Sequence, residues 1–219
     1  MTIPRFIVVS GLIGVGKSTF TKKLAELLGY RAIFEPVESN PYLEKFYKEP
    51  KKWAYPMQEF LKSRRFAAYQ FAFWGLRHDE FPGVILDRSI QEDTVFSEIN
   101  ANMGNIHPLD WQTYLRGFQD MQAFLPEPDV YIFLDAPPEV CHARIAKRAR
   151  EAECGGAGVP LDYLKTLHDG YMRWLALIAP RVQVAKIDWT DFGTPTQVWE
   201  QVLGMLQERS RFTRSLVGP

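Results

Sequence analysis

The chain has 219 residues, of which 46% are hydrophobic and 24% are charged, and its 26 basic residues balance its 26 acidic ones. This composition excludes a disordered or fibrous protein, and a net charge of zero provides no general attraction for a nucleic-acid polymer or an anionic membrane. The length predicts one domain, residues 1–219, and the balanced charge favours a small substrate.

The cysteine content and the N-terminal residues predict a cytoplasmic protein. Two cysteines, Cys141 and Cys154, cannot form a disulfide framework, and no Cys/His cluster has the spacing of a zinc site. Residues 1–5 lead directly into the first predicted strand, which leaves no room for a signal peptide. No apolar run approaches the length that spans a bilayer.

A glycine-rich stretch at residues 11–19 lies between an apolar run and an amphipathic run. The order strand, glycine loop, helix is the context that a phosphate-binding loop requires. Gly11 and Gly16 would let backbone N–H groups surround an anion, Lys17 could reach the β- and γ-phosphates of a nucleotide, and the Ser18 hydroxyl could bind Mg²⁺. The alternative is a glycine-rich turn before an ordinary helix.

Two further apolar runs end in charged residues. Residues 31–37 predict a strand that presents Glu35 at its carboxyl end, since Pro36 disfavours helix at the preceding residue. Residues 84–89 predict a strand that ends in Asp87 and Arg88. Ligands of parallel α/β sheets bind beyond the carboxyl ends of the strands, so these side chains are expected beside the glycine loop. The alternatives are a solvated loop carboxylate and a structural salt bridge.

The middle of the chain is predicted to be helical and largely structural. Residues 41–80 predict helix interrupted near Pro50 and Pro56, and their many aromatic side chains are mostly assigned to the core. Helices are also predicted over 89–101 and 109–124. The nearly continuous apolar run at 129–135 then predicts a strand that is buried on both faces.

A basic helix follows, in which Arg144 and Arg148 share one face. We interpret residues 144–158, which include Arg150 and a glycine-rich return, as a lid over a transferring phosphoryl group, although a solvated basic face is the usual outcome for such a run. A helix at 160–179, a fifth strand at 181–188, a closing helix at 194–208 and a frayed tail complete the chain. The predicted fold is a P-loop three-layer α/β sandwich with a five-stranded, parallel, doubly wound sheet.

These features favour a phosphotransferase over a GTPase switch or a motor ATPase, because a kinase needs a base for the acceptor hydroxyl and must shield the γ-phosphate from water. From the glycine loop to about residue 175 the sequence resembles the deoxynucleoside kinase family, which contains deoxycytidine, deoxyguanosine and deoxyadenosine kinases. Residues 35–37 are similar to its catalytic Glu-Pro-Val motif, and residues 87–89 to its acidic-Arg-Ser motif. Residues 40–47 are similar to the segment whose tyrosine meets the sugar.

The resemblance implies transfer of the ATP γ-phosphoryl group to the 5′-hydroxyl of a deoxynucleoside in nucleotide salvage, with a purine (deoxyadenosine or deoxyguanosine) favoured and deoxycytidine close behind. It implies Mg²⁺ as cofactor and a homodimer, with no nucleic-acid polymer or membrane as partner. The implied catalytic residues are Glu35, Arg88 and Lys17. The implied ATP-binding residues are Gly11, Gly14, Gly16, Lys17, Ser18, Thr19, Arg144, Arg148 and Arg150. The implied metal-binding residues are Ser18 and Asp87.

The resemblance also implies an acceptor site. Its residues are Glu35, Tyr47, Met57, Gln58, Arg65, Arg88, Asp93 and Glu153. Gln58 would contact the base, Arg65 would pair with Asp93 beside it, and Tyr47 and Glu153 would bind the 3′-hydroxyl. Glu153 matches the second of two adjacent glutamates in the family, and Ala152 departs from the family by standing where the first is expected. A nucleoside monophosphate kinase and a non-catalytic subunit of the same fold are the alternatives.

Overall fold

A computed structural model of the chain describes residues 3–35, 40–148 and 159–217, with side chains described as far as residue 208. Five strands form one parallel sheet with the order β2-β3-β1-β4-β5. The strands are β1 (Phe6–Gly11), β2 (Arg31–Ile33), β3 (Val84–Asp87), β4 (Val130–Asp135) and β5 (Val184–Asp188). Among the helices of the described residues, none combines the length and apolar character that crossing a bilayer requires.

Helices pack against the sheet in two layers. One layer contains α1 and α8, which contact each other, and the other contains α3, α4 and α7, with α5 and α6 packed beside them. The predicted three-layer α/β fold is therefore confirmed. The described helices are α1 (Lys17–Leu28), α2 (Leu43–Lys48), α3 (Pro50–Arg77), α4 (Asp93–Asn102), α5 (Pro108–Gln122), α6 (Pro138–Arg148), α7 (Leu161–Ile178) and α8 (Pro195–Val217).

The central strands are buried on both faces, as is typical of a parallel sheet. Every residue of β1 and β3 is buried, as are the first five of β4, because helices cover both faces. The parallel register pairs Val9 with Asp87 and Gly11 with Leu134. The carboxyl ends of β1, β3 and β4 therefore meet at one edge, and the glycine loop and the acidic end of β3 lie beside each other there.

Two predicted strands are shorter than their apolar runs. Strand β2 pairs with β3 only over Arg31–Ile33, so Glu35 lies in the connection beyond it, two residues past the last paired residue. Strand β5 begins at Val184, because the N–H groups of Arg181 and Val182 donate to the Ile178 carbonyl and continue the turn after α7.

Helix boundaries differ from prediction at three places. Pro56 lies inside the continuous helix α3, so the predicted interruption there is wrong. Helix α4 starts at Asp93 rather than residue 89, because Arg88 has a positive φ and a turn bond joins the Asp93 N–H to the Ile90 carbonyl. Helix α8 continues to Val217, where the sequence predicted a frayed tail.

Candidate active site

The glycine loop joins β1 to α1 in a conformation that its glycines make possible. Gly11, Gly14 and Gly16 have φ values of 146°, 83° and 105°, which L side chains rarely adopt. Lys17 is buried, and its ammonium donates to the carbonyls of Gly11 (3.2 Å) and Leu12 (2.9 Å). The lysine is thus folded across the loop, with the N-terminus of α1 beside it, which is the arrangement that binds a polyphosphate.

Gly14 has a second reason to lack a side chain. A Cβ atom there would lie 2.6 Å from the backbone oxygen of Cys141 and 2.5 Å from Cγ1 of Ile145, both on α6. We expect Gly14→Ala to weaken Mg-ATP binding and to cost about 1–3 kcal/mol of folding stability, because the loop must move away from α6. Calorimetric titration and thermal denaturation measure both effects.

The matched control is Gly29→Ala. Gly29 also has a positive φ (66°), but nothing lies within 4 Å of the added Cβ. This variant carries the backbone strain without the steric contact, so its Mg-ATP affinity should equal that of the unmodified chain. Equal affinities for both variants would mean that α6 does not shape the loop.

The charge of Lys17 depends on its surroundings. Burial, with a smaller effect of the Arg88 guanidinium, lowers the pKa of Lys17 from 10.5 to about 8. A protonated lysine is the form that binds phosphate, so above pH 8 binding must be accompanied by proton uptake.

We therefore expect the dissociation constant of Mg-ATP to rise above pH 8 by up to about tenfold for each pH unit. Titration calorimetry in buffers of different ionisation enthalpy measures both the constant and the proton uptake. A constant affinity to about pH 9.5, with no proton uptake, would show that the lysine keeps its proton there.

Ser18 and Asp87 bring oxygen atoms together at the mouth of the loop. The Ser18 hydroxyl donates to Oδ2 of Asp87 at 2.5 Å, while Oδ1 of Asp87 is buried and has no hydrogen-bond partner within the described residues. Burial raises the pKa of Asp87, and the charge of Lys17 opposes that effect. A hydroxyl beside an unsatisfied carboxylate oxygen can bind a hard divalent cation.

Glu35 is held by two guanidinium groups, although it lies beyond the end of β2. Its Oε2 lies 3.0 Å from Nε of Arg88, and its Oε1 accepts from Nε of Arg65 at 3.0 Å. Burial would raise the pKa of Glu35, but the charges of Arg65 and then Arg88 outweigh it and hold the pKa below its usual value. Glu35 is therefore ionised at neutral pH and directed toward the cavity.

Arg65 links Glu35 to a second buried acid. Its Nη1 donates to Oδ1 of Asp93, which is fully buried, while Oδ2 of Asp93 has no partner in the described part of the chain. Gln58 precedes Arg65 by seven residues, about two turns of α3. It is also fully buried, and neither atom of its amide has a partner among the described residues. Unsatisfied polar groups of this kind are costly unless a ligand satisfies them.

Most of these groups surround one cavity of about 820 Å³, including its open mouth, but Asp93, which was predicted to contact the base, does not line it and touches Arg65 from behind the wall. Most of the predicted site residues line it, namely Gly14, Lys17, Ser18, Glu35, Tyr47, Met57, Gln58, Arg65, Asp87, Arg88 and Arg148. The remainder of its wall consists of Ile13, Asn40, Leu43, Phe46, Leu61, Phe96 and Tyr163.

Comparison with known proteins assigns the chain to a family. A family model for deoxynucleoside kinases matches residues 7–209. The chain belongs to the deoxynucleoside kinase family. This kinase is 36% identical to deoxyadenosine kinase of Dictyostelium discoideum over 213 residues, 97% of this chain and 83% of the relative. It is 36% identical to deoxyadenosine/deoxycytidine kinase of Bacillus subtilis (strain 168) over 173 residues, 78% of this chain and 76% of the relative.

A solved structure agrees with this assignment. Deoxyadenosine kinase from M. mycoides with bound dCTP superposes with a TM-score of 0.76 and 26% identity, covering 92% of this kinase and 98% of that chain. The predicted enzyme class is confirmed, and the chain is a nucleotide-using kinase of deoxynucleosides.

Not every predicted residue of the kinase reaches the cavity. Arg144 does not line it; its guanidinium donates to the carbonyls of Trp189, Thr190 and Val15 and lies 4.0 Å from the Phe192 ring centroid. Arg144 therefore braces the glycine loop against the segment after β5, rather than pointing at a phosphoryl group. Arg150 and Glu153 lie outside the described residues, as does most of the predicted lid.

Two buried residues of the kinase were not predicted to belong to the site. Glu92 is fully buried, and its Oε2 lies 3.3 Å from Nη1 of Arg88. Tyr171, also fully buried, donates to the same oxygen at 2.6 Å and accepts from Arg88. The spacing of four residues between Arg88 and Glu92 could have indicated the first contact, but nothing in the sequence connects Tyr171 to a residue so distant along the chain.

Proposed function

We propose that this kinase transfers the γ-phosphoryl group of ATP to the 5′-hydroxyl of a purine deoxynucleoside, deoxyadenosine or deoxyguanosine, with deoxycytidine as the next substrate. One observation supports the choice of base. Both amide atoms of Gln58 are buried without partners beside the cavity, and an amide forms two hydrogen bonds with adjacent donor and acceptor groups of adenine.

Asp93 and Arg65 support the same choice. The unpaired Oδ2 of Asp93 requires a donor, which the exocyclic amino group of adenine or cytosine supplies, whereas thymine has a carbonyl at the equivalent position. Guanine offers acceptors that match the Arg65 guanidinium. The relatives named for deoxyadenosine, deoxyguanosine and deoxyadenosine/deoxycytidine agree with this preference.

The donor nucleotide is proposed to bind at the glycine loop. The loop amides and the Lys17 ammonium, which would exchange its two carbonyl partners for phosphate oxygens, hold the β- and γ-phosphates. Gly11, Gly16 and Thr19 shape this loop without lining the cavity. Arg148, which lines the cavity, is proposed to bind the same phosphates.

Ser18 and Asp87 are proposed to hold Mg²⁺. The unpartnered Oδ1 of Asp87 and the adjacent hydroxyl of Ser18 fit a magnesium ion that is bound by one carboxylate, phosphate oxygens and water. A magnesium ion held there would neutralise charge on the phosphates of the donor nucleotide.

Glu35 is proposed to be the general base. Its ionised carboxylate accepts the proton of the 5′-hydroxyl as the phosphoryl group arrives, and Arg88 stabilises the negative charge of the transition state. Arg88 can serve the base and the transferring group together, because it contacts Glu35 and also lines the cavity. Tyr47, in the cavity wall, is proposed to meet the sugar 3′-hydroxyl together with Glu153.

Phosphate transfer from Mg-ATP to each of the four deoxynucleosides and four ribonucleosides at equal concentration tests the proposed function. Transfer to deoxyadenosine or deoxyguanosine, then to deoxycytidine, with little to thymidine or any ribonucleoside, is the expected result. Transfer to none of the eight while ATP still binds would overturn the acceptor assignment. Turnover of monophosphates alone would favour a monophosphate kinase, which Glu35 disfavours because its charge repels an anionic acceptor.

A homodimer in the cytoplasm is the remaining part of the proposal. Phe71 and Trp74 on α3 are half exposed, and they offer an apolar surface to a second copy. Light scattering after gel filtration measures the oligomeric state, and a monomer at micromolar concentration would contradict the dimer.

A further inference from the structure

We propose that Glu92 and Tyr171 are positioning residues that hold Arg88 in the orientation required for phosphoryl transfer. This inference rests on the proposed function, in which Arg88 contacts both Glu35 and the transferring group. Neither residue lines the cavity, so each acts through Arg88 and not on the substrate.

The backbone of Arg88 needs support because it is strained. Its φ is 70°, a conformation that non-glycine residues rarely adopt. The Arg88 N–H donates to the Val9 carbonyl at 3.0 Å, and the following N–H, that of Ser89, donates to Oε1 of Glu92 at 2.9 Å. Glu92 thus closes the turn that directs the arginine side chain toward the cavity.

The other oxygen of Glu92 fixes the guanidinium. Oε2 of Glu92 accepts a hydrogen bond from the Tyr171 hydroxyl at 2.6 Å and lies 3.3 Å from Nη1 of Arg88. Nη1 also donates a hydrogen bond to the Tyr171 oxygen. Nη1 is therefore engaged on both sides, while Nε faces Glu35 at 3.0 Å. The contacts at Nη1 and Nε together fix the orientation of the planar group.

Burial and charge pairing restrict the movement of the Arg88 side chain. Glu92 and Tyr171 are fully buried, and the Phe96 ring centroid lies 4.9 Å from the Arg88 guanidinium carbon, beside the cavity. Burial raises the pKa of Tyr171 well above 10, so the hydroxyl remains a donor throughout the pH range of any assay. Glu92 also balances the arginine charge, which leaves the carboxylate of Glu35 available to the acceptor hydroxyl.

The experiment uses Tyr171→Phe, which removes one hydroxyl without adding volume. We expect kcat to fall by about 10- to 100-fold, the range seen when outer partners of a reacting group are removed, with the KM of the nucleoside nearly unchanged. The matched control is Tyr69→Phe, because the Tyr69 hydroxyl donates to the Pro126 carbonyl at 2.7 Å from an equally buried position in the core. The control should lose comparable stability in thermal denaturation and keep its kcat.

A double-mutant cycle with Arg88→Ala separates positioning from structure. Adding Tyr171→Phe to Arg88→Ala should change kcat by no more than about twofold, because the hydroxyl then has no arginine to orient. Glu92→Gln, which keeps the acceptor for the Ser89 N–H but removes the charge, should show the same dependence on Arg88 and provides a second variant if the first folds poorly.

The outcomes distinguish the two proposals. A full additional loss of kcat in the Arg88→Ala background, or equal effects of Tyr171→Phe and Tyr69→Phe, would overturn the positioning role while the unmodified kinase remains active. An unmodified chain that phosphorylates no deoxynucleoside would overturn the proposed function itself, and this inference with it.

Discussion

Glu35→Gln is expected to lower kcat by about 10²- to 10⁴-fold, the usual effect of losing a general base, while the dissociation constant of the nucleoside changes little. The amide keeps the shape of the carboxylate, although its single oxygen can accept a hydrogen bond in the place of Oε1, which faces Arg65, or of Oε2, which faces Arg88, but not in both. It cannot accept the proton of the 5′-hydroxyl. Rapid-quench measurement of one turnover separates this chemical step from product release.

The control for this variant is Glu59→Gln. Glu59 also belongs to a salt bridge with a buried cation, Lys62, but it does not line the cavity. Its kcat should remain that of the unmodified kinase. An unchanged kcat in Glu35→Gln would remove Glu35 from the role of base and leave it as a counter-ion for the two arginines.

Arg65→Ala is expected to destabilise the fold by about 3–5 kcal/mol, because it leaves the fully buried Asp93 without its positive partner. Replacing Asp93 with Ala in the same chain removes the unpaired charge, so the double variant should recover part of this loss. The double variant should also accept thymidine, since the groups that select a base with an amino substituent or a purine acceptor are gone. Denaturant unfolding and the same nucleoside panel measure the two effects.

Lys62→Ala is the control for base choice. Lys62 is a buried cation on the same helix, paired with Glu59 and outside the cavity, so its loss should reduce stability without changing the order of preferred nucleosides. If thymidine remains excluded by the double variant, the base is recognised elsewhere in the cavity. Equal stability of the single and double variants would mean that Asp93 becomes neutral when Arg65 is lost.

Both predictions depend on Arg65, which couples Glu35 to Asp93. Arg65 contacts Glu35 with one part of its guanidinium and Asp93 with another. A bound nucleobase that attracts the Arg65 guanidinium would weaken the contact between Arg65 and Glu35. The pKa of Glu35 would then rise toward its usual value. In the proposed mechanism, recognition of the nucleobase and the basicity of Glu35 are therefore connected through Arg65.

Local pattern was sufficient for the fold and for the phosphate loop. The buried strands β1, β3 and β4 are continuous apolar runs, and the residues 11–19 carry the spacing that a phosphate loop requires, because both features depend on neighbours in the sequence. Boundaries were less predictable. The connection that contains Glu35 is not strand, since β2 is an edge strand that finds a partner only as far as Ile33.

Tertiary contacts overrode two local rules. Pro56 would end an isolated helix, but α3 continues through it, since packing against the core compensates for the lost hydrogen bond. Arg144 belongs to a basic run that is typical of a lid, but its guanidinium donates hydrogen bonds to the carbonyls of Trp189 and Thr190 after β5. No sequence pattern predicts the continuous helix at Pro56 or the contacts of Arg144, because the residues that pack against them lie on distant segments of the chain.

The sequence by itself determined the phosphate loop and the charged residues that follow β2 and β3, because these stand in short motifs at or just beyond the ends of strands. Its resemblance to the deoxynucleoside kinase family supplied the acceptor and the cavity residues that lie on helices, such as Gln58 and Arg65. Only the tertiary structure decided how the charges pair: that Arg65 joins Glu35 to Asp93, and that Glu92 and Tyr171 together hold a strained Arg88. The physical reason is separation along the chain. Tyr171 follows Glu92 by 79 positions in the chain, and only the packing of α4 against α7 brings their oxygen atoms to 2.6 Å.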